Sequence, residues 1–208
     1  MRTALIVDDH PFIRSTVNMI LKDQHFNVVA EADNGSDAVQ LAREHKPDLV
    51  LLDISMPKLD GLEVLNRLYD LGPTVKVIVL TSLSPTFYSM RCMKAGAVAY
   101  VSKTHGLNEL VRAINAVMSG HTFFPLLTAD SVRRSDGWTS ELELIQRLSE
   151  RELSIFQQLA KGMSNKQIGE EMLLSNKTIS TYKARLIEKL NVSSLVHLAD
   201  LAKRNELI

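Results

Sequence analysis

Short apolar runs, each closed by a polar residue, recur along the first 120 residues and alternate with amphipathic stretches. The runs ALIVDD, LVLLD, VIVLTS and AYVSK end on Asp8 and Asp9, Asp53, Thr81 and Lys103. Val/Ile/Leu runs bounded in this way predict strands buried on both faces, as in a parallel sheet. Candidate strands cover 3–8, 27–32, 48–53, 75–80 and 98–102. The stretches 11–23, 35–46, 60–70, 85–95 and 106–119 between them carry helical periodicity. Pro11 suits a first helical turn, where its missing N–H costs nothing. Gly72-Pro73 and Ala95-Gly96 punctuate helix ends.

Strict strand–helix alternation implies right-handed βαβ units and a doubly wound α/β sheet of five parallel strands, in the flavodoxin-like order 2-1-3-4-5. This domain is assigned to 1–122. The rhythm breaks in 123–147, read as a linker that starts at the FFP exit and holds a polar stretch, with a short helix near 140–147. Trp138 in that stretch is expected to pack back on a domain. From Leu148 to Ile208 the pattern is helical throughout. Ser149 followed by Glu152 has capping-box spacing, Gly162 closes the first helix, and Ser164 and Ser175 suit the N-caps of the next two. A short helix, the turn Leu173-Leu174-Ser175 and a longer helix predict a small all-α, four-helix helix-turn-helix domain over 148–208.

Composition narrows the class. At 208 residues and 45% apolar content the chain can form one large or two small domains with packed cores. A single cysteine, Cys92, rules out an internal disulfide framework and suits a reducing cytoplasm. No signal-peptide pattern opens the chain, and no apolar run reaches membrane-spanning length, so no membrane partner is expected. The 24 basic and 24 acidic residues cancel. Residues 1–125 hold 12 basic and 13 acidic groups (net −1), and residues 148–208 hold 9 and 7 (net +2), which permits a nucleic-acid partner without requiring one.

In an open parallel sheet, ligands bind beyond the carboxyl ends of the strands. There Asp8, Asp9 and Asp53 converge, with the Thr81 hydroxyl and the Lys103 ammonium beside them. Each residue taken alone is ordinary: two acids at a helix N-terminus, a strand-end threonine, a solvated lysine. Three carboxylates in one crevice call for a cation, and an oxygen-only ligand set points to Mg2+.

This constellation resembles the receiver domain of two-component response regulators over residues 3 to about 120, with the Asp53-Ile54-Ser55-Met56-Pro57 tail and Gly61 also in place. The resemblance implies that Asp53 accepts the phosphoryl group. It implies Mg2+ held by Asp8, Asp9, Asp53 and the Ser55 main-chain carbonyl, with Lys103 and Thr81 on phosphoryl oxygens. Thr81 and Tyr100 would form the switch pair, the ring turning inward when Thr81 moves toward the phosphoryl group. Where many receivers place proline after the lysine, Thr104 follows Lys103.

LSERELSIFQQLAKGMSNKQIGEEMLLSNKTISTYKARLIEKLNVSS is similar to the helix-turn-helix domain of the LuxR/FixJ (NarL-like) family. Ile179, Tyr182, Leu186 and Leu190 share an apolar face, opposite Lys177, Thr181, Ala184 and Glu188. The N-terminal part of a recognition helix reads base edges. Lys177, Ser180, Thr181 and Ala184 are therefore the base-contact candidates, and Lys166, Thr178, Lys183 and Arg185 the phosphate candidates. Tyr182 and Ser194 stand where the family often has histidine and arginine. Leu195, Leu198, Leu201 and Ala202 would partly pack the last helix on the domain, and the resemblance implies that this helix also forms the homodimer contact on DNA.

The FFP exit, SNKTISTYKARL and the LAKRN close resemble the BvgA/EvgA-like subgroup. That likeness implies a hybrid sensor histidine kinase acting through a histidine phosphotransfer module, with double-stranded DNA and RNA polymerase as further partners. The expected function is a transcription factor gated by phosphorylation of Asp53, with no enzymatic activity beyond its own phosphoryl transfer and dephosphorylation. Two alternatives stay open: a protein-binding regulator whose helical domain does not touch DNA, and a phosphorylation-independent DNA-binding protein. A stand-alone aspartate-dependent phosphohydrolase would need a second acid two residues after Asp53, where Ser55 stands.

Overall fold

The computed structural model describes residues 1–56, 61–72, 75–104, 106–125 and 141–208. Pro57, Pro73, Trp138 and residues 126–140 of the expected linker lie outside these residues. The chain divides into two compact units, Met1–Leu126 and Leu127–Ile208.

In the first unit, five parallel strands run in the order β2-β1-β3-β4-β5, as the strand–helix alternation predicts. They are β1 (Arg2–Val7), β2 (Phe26–Ala32), β3 (Leu49–Leu52), β4 (Lys76–Thr81) and β5 (Ala99–Ser102), interleaved with α1 (Pro11–Asp23), α2 (Gly35–His45), α3 (Gly61–Tyr69), α4 (Pro85–Lys94) and α5 (Leu107–Met118). Period-2 alternation sorts each strand's side chains onto two faces. Ala4, Ile6, Leu49, Leu51, Ile78, Leu80, Ala99 and Val101 pack under Val17 and Leu21 of α1 and Leu110, Ala113, Ile114 and Val117 of α5. The intervening Leu5, Val50, Leu52, Val77 and Val79 are equally buried on the other face.

The ladder continues just past the strand ends, and this places the site. Asp8 N–H donates to the Ala32 carbonyl (3.1 Å), Asp53 N–H to Val7 (2.8 Å) and Lys103 N–H to Thr81 (2.9 Å). Two carboxylates and an ammonium are thereby fixed at one edge of the sheet by backbone bonds. Gly61 is required by proximity, because a Cβ there would lie 2.4 Å from the Ile54 Cα and carbonyl oxygen in the loop after Asp53. Beyond α5, Phe123 rejoins the sheet: its N–H donates to the Val98 carbonyl (3.0 Å) and its carbonyl accepts from Tyr100 N–H (2.8 Å). Arg112 sits over its ring, 5.6 Å from the centroid.

The second unit is helical: α6 (Glu141–Gln146), α7 (Glu150–Ala160), α8 (Asn165–Met172), α9 (Asn176–Lys189) and α10 (Leu195–Arg204). Ser149 and Ser164 each make a reciprocal capping box, with Glu152 and Gln167, while Ser175 and Ser194 accept from the N–H groups of Thr178 and His197. Such caps are worth about 1 kcal/mol each. Gly162 at φ +83° closes α7, its N–H on the Leu159 carbonyl and the Met163 N–H on Gln158. Ile145, Leu153, Phe156, Ile168, Ile179, Leu186, Leu190, Leu198 and Leu201 form the buried interior. The segment read as a connection over 123–147 thus gives Phe123 to the sheet and α6 to the helical unit, where Glu141 pairs with Arg204 (2.8 Å). α6 is the short helix expected near 140–147, whereas the packing of Phe123 on the sheet was not expected from the pattern.

Candidate phosphoacceptor pocket and recognition helix

Asp53 and Asp8 are buried carboxylates, 1% and 2% exposed, and each accepts the Lys103 ammonium: 2.5 Å to Asp53 Oδ2 and 2.7 Å to Asp8 Oδ2. Burial works to lower the Lys103 pKa. The charge of Asp53 and the hydrogen bonds to Asp53 and Asp8 outweigh it, and the pKa lies above the usual lysine value. Among the described residues the Lys103 ammonium is the cation paired with both buried carboxylates. Asp53 Oδ1 also accepts from the Ser55 N–H (2.8 Å) and hydroxyl (2.7 Å), and that hydroxyl lies 2.8 Å from Oδ2. Asp8 Oδ1 accepts from His10 N–H (2.9 Å), and the Asp8 carbonyl accepts from Arg14 (2.8 Å).

Asp9 Oδ1 is shielded from solvent and has no hydrogen bond among the described residues; it lies 2.8 Å from His10 Nδ1 without hydrogen-bond geometry. Ligand atoms of Asp8, Asp9, His10 and Asp53 all lie within 4.8 Å of one another. An orphaned carboxylate oxygen beside two buried carboxylates fits a hard divalent cation held by oxygens.

Thr81 is fully buried at the end of β4, its hydroxyl oxygen accepting from Leu83 N–H at 3.4 Å. Tyr100 is also fully buried, and its hydroxyl donates to the Leu83 carbonyl (2.6 Å), so the ring points inward in this conformation. Burial first, then Cys92, Tyr88 and Asp53, push its phenol pKa well above the ordinary tyrosine value. No cis peptide occurs among the described residues, and the loop after Lys103 is tied by the Ser102 and Thr104 hydroxyls (2.7 Å). The sequence pattern picks out Asp8, Asp9, Asp53, Thr81 and Lys103. It did not flag His10 or the Ser55 hydroxyl, although a histidine following two such aspartates is itself a usable signal.

In the helical unit, α9 buries Ile179 and Leu186 and leaves Lys177, Ser180, Thr181, Ala184 and Arg185 exposed, with Thr178, Tyr182 and Lys183 half-buried. Ser180 accepts from the Asn165 amide of α8 (3.0 Å), a tie between the two helices that spacing alone did not announce. Thr178 shares its hydroxyl with Ser175 (2.7 Å), and the Thr181 hydroxyl donates back to the Lys177 carbonyl (3.1 Å). Lys166 on α8 lies 4.0 Å from Glu170, both exposed. The turn between the helices is forced close: a Cβ on Gly169 would meet the Leu174 carbonyl oxygen at 2.6 Å. Glu152 in α7 is nearly buried and binds Lys189 at the end of α9 (2.7 and 2.9 Å), pinning the recognition helix to the unit's first capping box.

These two sites match known families. Residues 4–115 match the response regulator receiver domain, and residues 146–202 match the bacterial regulatory proteins of the luxR family. The chain belongs to the response regulators with a LuxR-type DNA-binding domain. BvgA of Bordetella pertussis, named as a positive transcription regulator of virulence factors, is 51% identical over 203 residues, spanning 98% of this chain and 97% of its own. The DNA-binding transcriptional activator EvgA of Escherichia coli K12 is 36% identical over 205 residues, covering 98% of each. In fold, this response regulator is similar to RcsB of Salmonella enterica serovar Typhimurium bound to the rprA promoter with a phosphomimetic beryllium fluoride (TM-score 0.71, 23% identity, 96% and 97% covered). Receiver domains bind Mg2+ at an acidic pocket of this kind. No described helix is long and apolar enough to cross a membrane.

Proposed function

We propose that this response regulator is switched by phosphorylation of Asp53 and that the switch gates dimerisation and sequence-specific DNA binding in the cytoplasm. The observation that carries the reading is a buried Asp53 carboxylate, anchored by Ser55 and sharing one ammonium with Asp8. An Asp53 oxygen attacks the phosphorus of a phosphohistidine, forming a P–O bond as the P–N bond breaks and the imidazole leaves. The donor is a sensor kinase of the hybrid type or its histidine phosphotransfer module. Positioning and charge neutralisation dominate such a transfer. Asp8, Asp9, Asp53 and the Ser55 carbonyl would hold Mg2+, which supplies compensation of the developing phosphoryl charge.

Lys103 moves from carboxylate to phosphoryl oxygen, Thr81 donates its hydroxyl, and Thr81 with Tyr100 forms the switch pair. Lys177, Ser180, Thr181 and Ala184 then read base edges, while Lys166, Thr178, Lys183 and Arg185 hold phosphates. The last helix joins two copies on DNA, and RNA polymerase is the downstream partner.

The test is binding to genomic DNA fragments with and without acetyl phosphate and Mg2+, for the wild-type chain and Asp53→Asn. Selective binding that strengthens on phosphorylation and does not strengthen in Asp53→Asn is the expected result. Equal binding in every sample would reject the gating role of Asp53.

A further inference from the structure

His10 is the one residue of the four-ligand cluster that no role in phosphoryl transfer absorbs. It sits between Asp9 and Pro11 at the N-cap of α1, with φ −90° and ψ 111°. Its backbone N–H is held by Asp8 Oδ1, which fixes the residue over the pocket rather than away from it. Its side chain is 65% exposed, so solutes reach it, yet Nδ1 turns inward to within 2.8 Å of Asp9 Oδ1 and 3.4 Å of Asp8 Oδ1.

The shorter contact has no hydrogen-bond geometry, and Asp9 Oδ1 has no other partner among the described residues. That separation also suits two neighbouring ligands of one ion. Ligands adjacent on an octahedral ion with bonds of about 2.1 Å lie roughly 3.0 Å apart. Both separations bracket that value.

We infer that His10 Nδ1 is a metal ligand, and that it makes this pocket a mixed nitrogen–oxygen site suited to a first-row transition ion as well as to Mg2+. The inference rests on the reading of the pocket as a divalent-cation site. Mg2+ gains little from an imidazole and keeps water in that position, whereas Mn2+, Co2+ and Ni2+ accept imidazole increasingly well along the Irving–Williams order. The consequence is a shift in selectivity: the switch can be loaded by a transition ion at concentrations far below those at which Mg2+ fills it. The Lys103 ammonium, already on Asp8 and Asp53, competes with either ion alike and so does not set the ratio.

The experiment is calorimetric titration of the full chain with MgCl2 and, separately, CoCl2, on wild type, His10→Ala and Asp9→Asn, with pulsed electron paramagnetic resonance of the Mn2+-loaded protein. The wild type should bind Co2+ at least about tenfold more tightly than Mg2+, and His10→Ala should shrink that ratio to roughly twofold. The Mn2+ spectrum should carry nitrogen modulation that His10→Ala removes and that Asp9→Asn removes with the ion itself. The same Co2+ to Mg2+ ratio in wild type and His10→Ala, with both ions bound, overturns the role of His10. No saturable Mg2+ binding in the wild type overturns the cation-site reading as well.

Discussion

Lys103 shapes the electrostatics of the pocket, because its ammonium bridges two buried carboxylates that would otherwise face each other. Lys103→Met should therefore do two opposite things. Removing the resident cation raises Mg2+ affinity several-fold, read by calorimetry. It also removes the charge proposed to receive a phosphoryl oxygen, so the gain in DNA binding on treatment with acetyl phosphate should shrink toward zero. The raised Lys103 pKa fixes the pH window. A raised basic group contributes stability that is complete below its ordinary value near 10.4 and is lost as pH rises through the folded value. Chemical unfolding should accordingly show no Lys103-linked change between about pH 6 and 9, and a decline only in strong alkali. The carboxylates, Thr81 and Lys103 were legible because each closes an apolar run, and strand-end positions in a parallel sheet converge whatever the loops do. His10 and the Ser55 hydroxyl were not, since their approach depends on a loop conformation and a rotamer that periodicity does not encode.

At the scale of elements, helix starts were the most legible feature. Ser149, Ser164 and Ser175 cap where their spacing to the following polar residues places them, because each cap is a local bond within one turn. Contacts between elements were less so. The sequence marks Gly169 only as a helical glycine, but the turn into α9 lies on it. Gly169→Ala sets a Cβ against the Leu174 carbonyl oxygen, a backbone atom with no freedom to swing aside. The helical unit should lose about 1–3 kcal/mol, read as a lower Tm, and DNA affinity should fall with it because α8 and α9 no longer keep their angle. Glu152 shows the same kind of long-range tie. Burial alone would raise its pKa, but hydrogen bonds from Lys189 and Ser149, together with the Lys189 charge, hold it below the usual glutamate range. Its stabilisation is present above about pH 4.3 and is lost as pH falls through the depressed value. Glu152→Gln should cost roughly 1 kcal/mol at pH 7, since Lys189 is half-exposed and the pair is partly screened. That difference should vanish in acid denaturation below pH ~3.

For the whole molecule, composition left one large or two small domains open, whereas the alternation predicted the sheet order, because right-handed crossovers leave few ways to wind five parallel strands. The domain junction was least legible: Phe123 and α6 join opposite units through contacts that no local pattern specifies. Net charge is the one global property that bears on DNA, and it is zero. A chain without overall positive charge gains little from long-range attraction to a polyanion. Affinity must then come from cations placed at the recognition helix, and the salt dependence of binding counts them. Each phosphate neutralised contributes about −0.9 to the slope of log K against log salt. Lys183→Ala should reduce that slope by about one and weaken specific and non-specific sequences alike, the mark of a phosphate contact. Lys166→Ala should do the same, because its exposed pair with Glu170 at 4.0 Å is too weak to hold it from DNA. Thr181→Ala should leave the slope unchanged and narrow the gap between operator and random DNA by about 1–3 kcal/mol, the size of a lost base contact. Fluorescence anisotropy across a salt series measures all three. A slope unmoved by both lysine changes would transfer the DNA-contacting role to a different face of the helical unit.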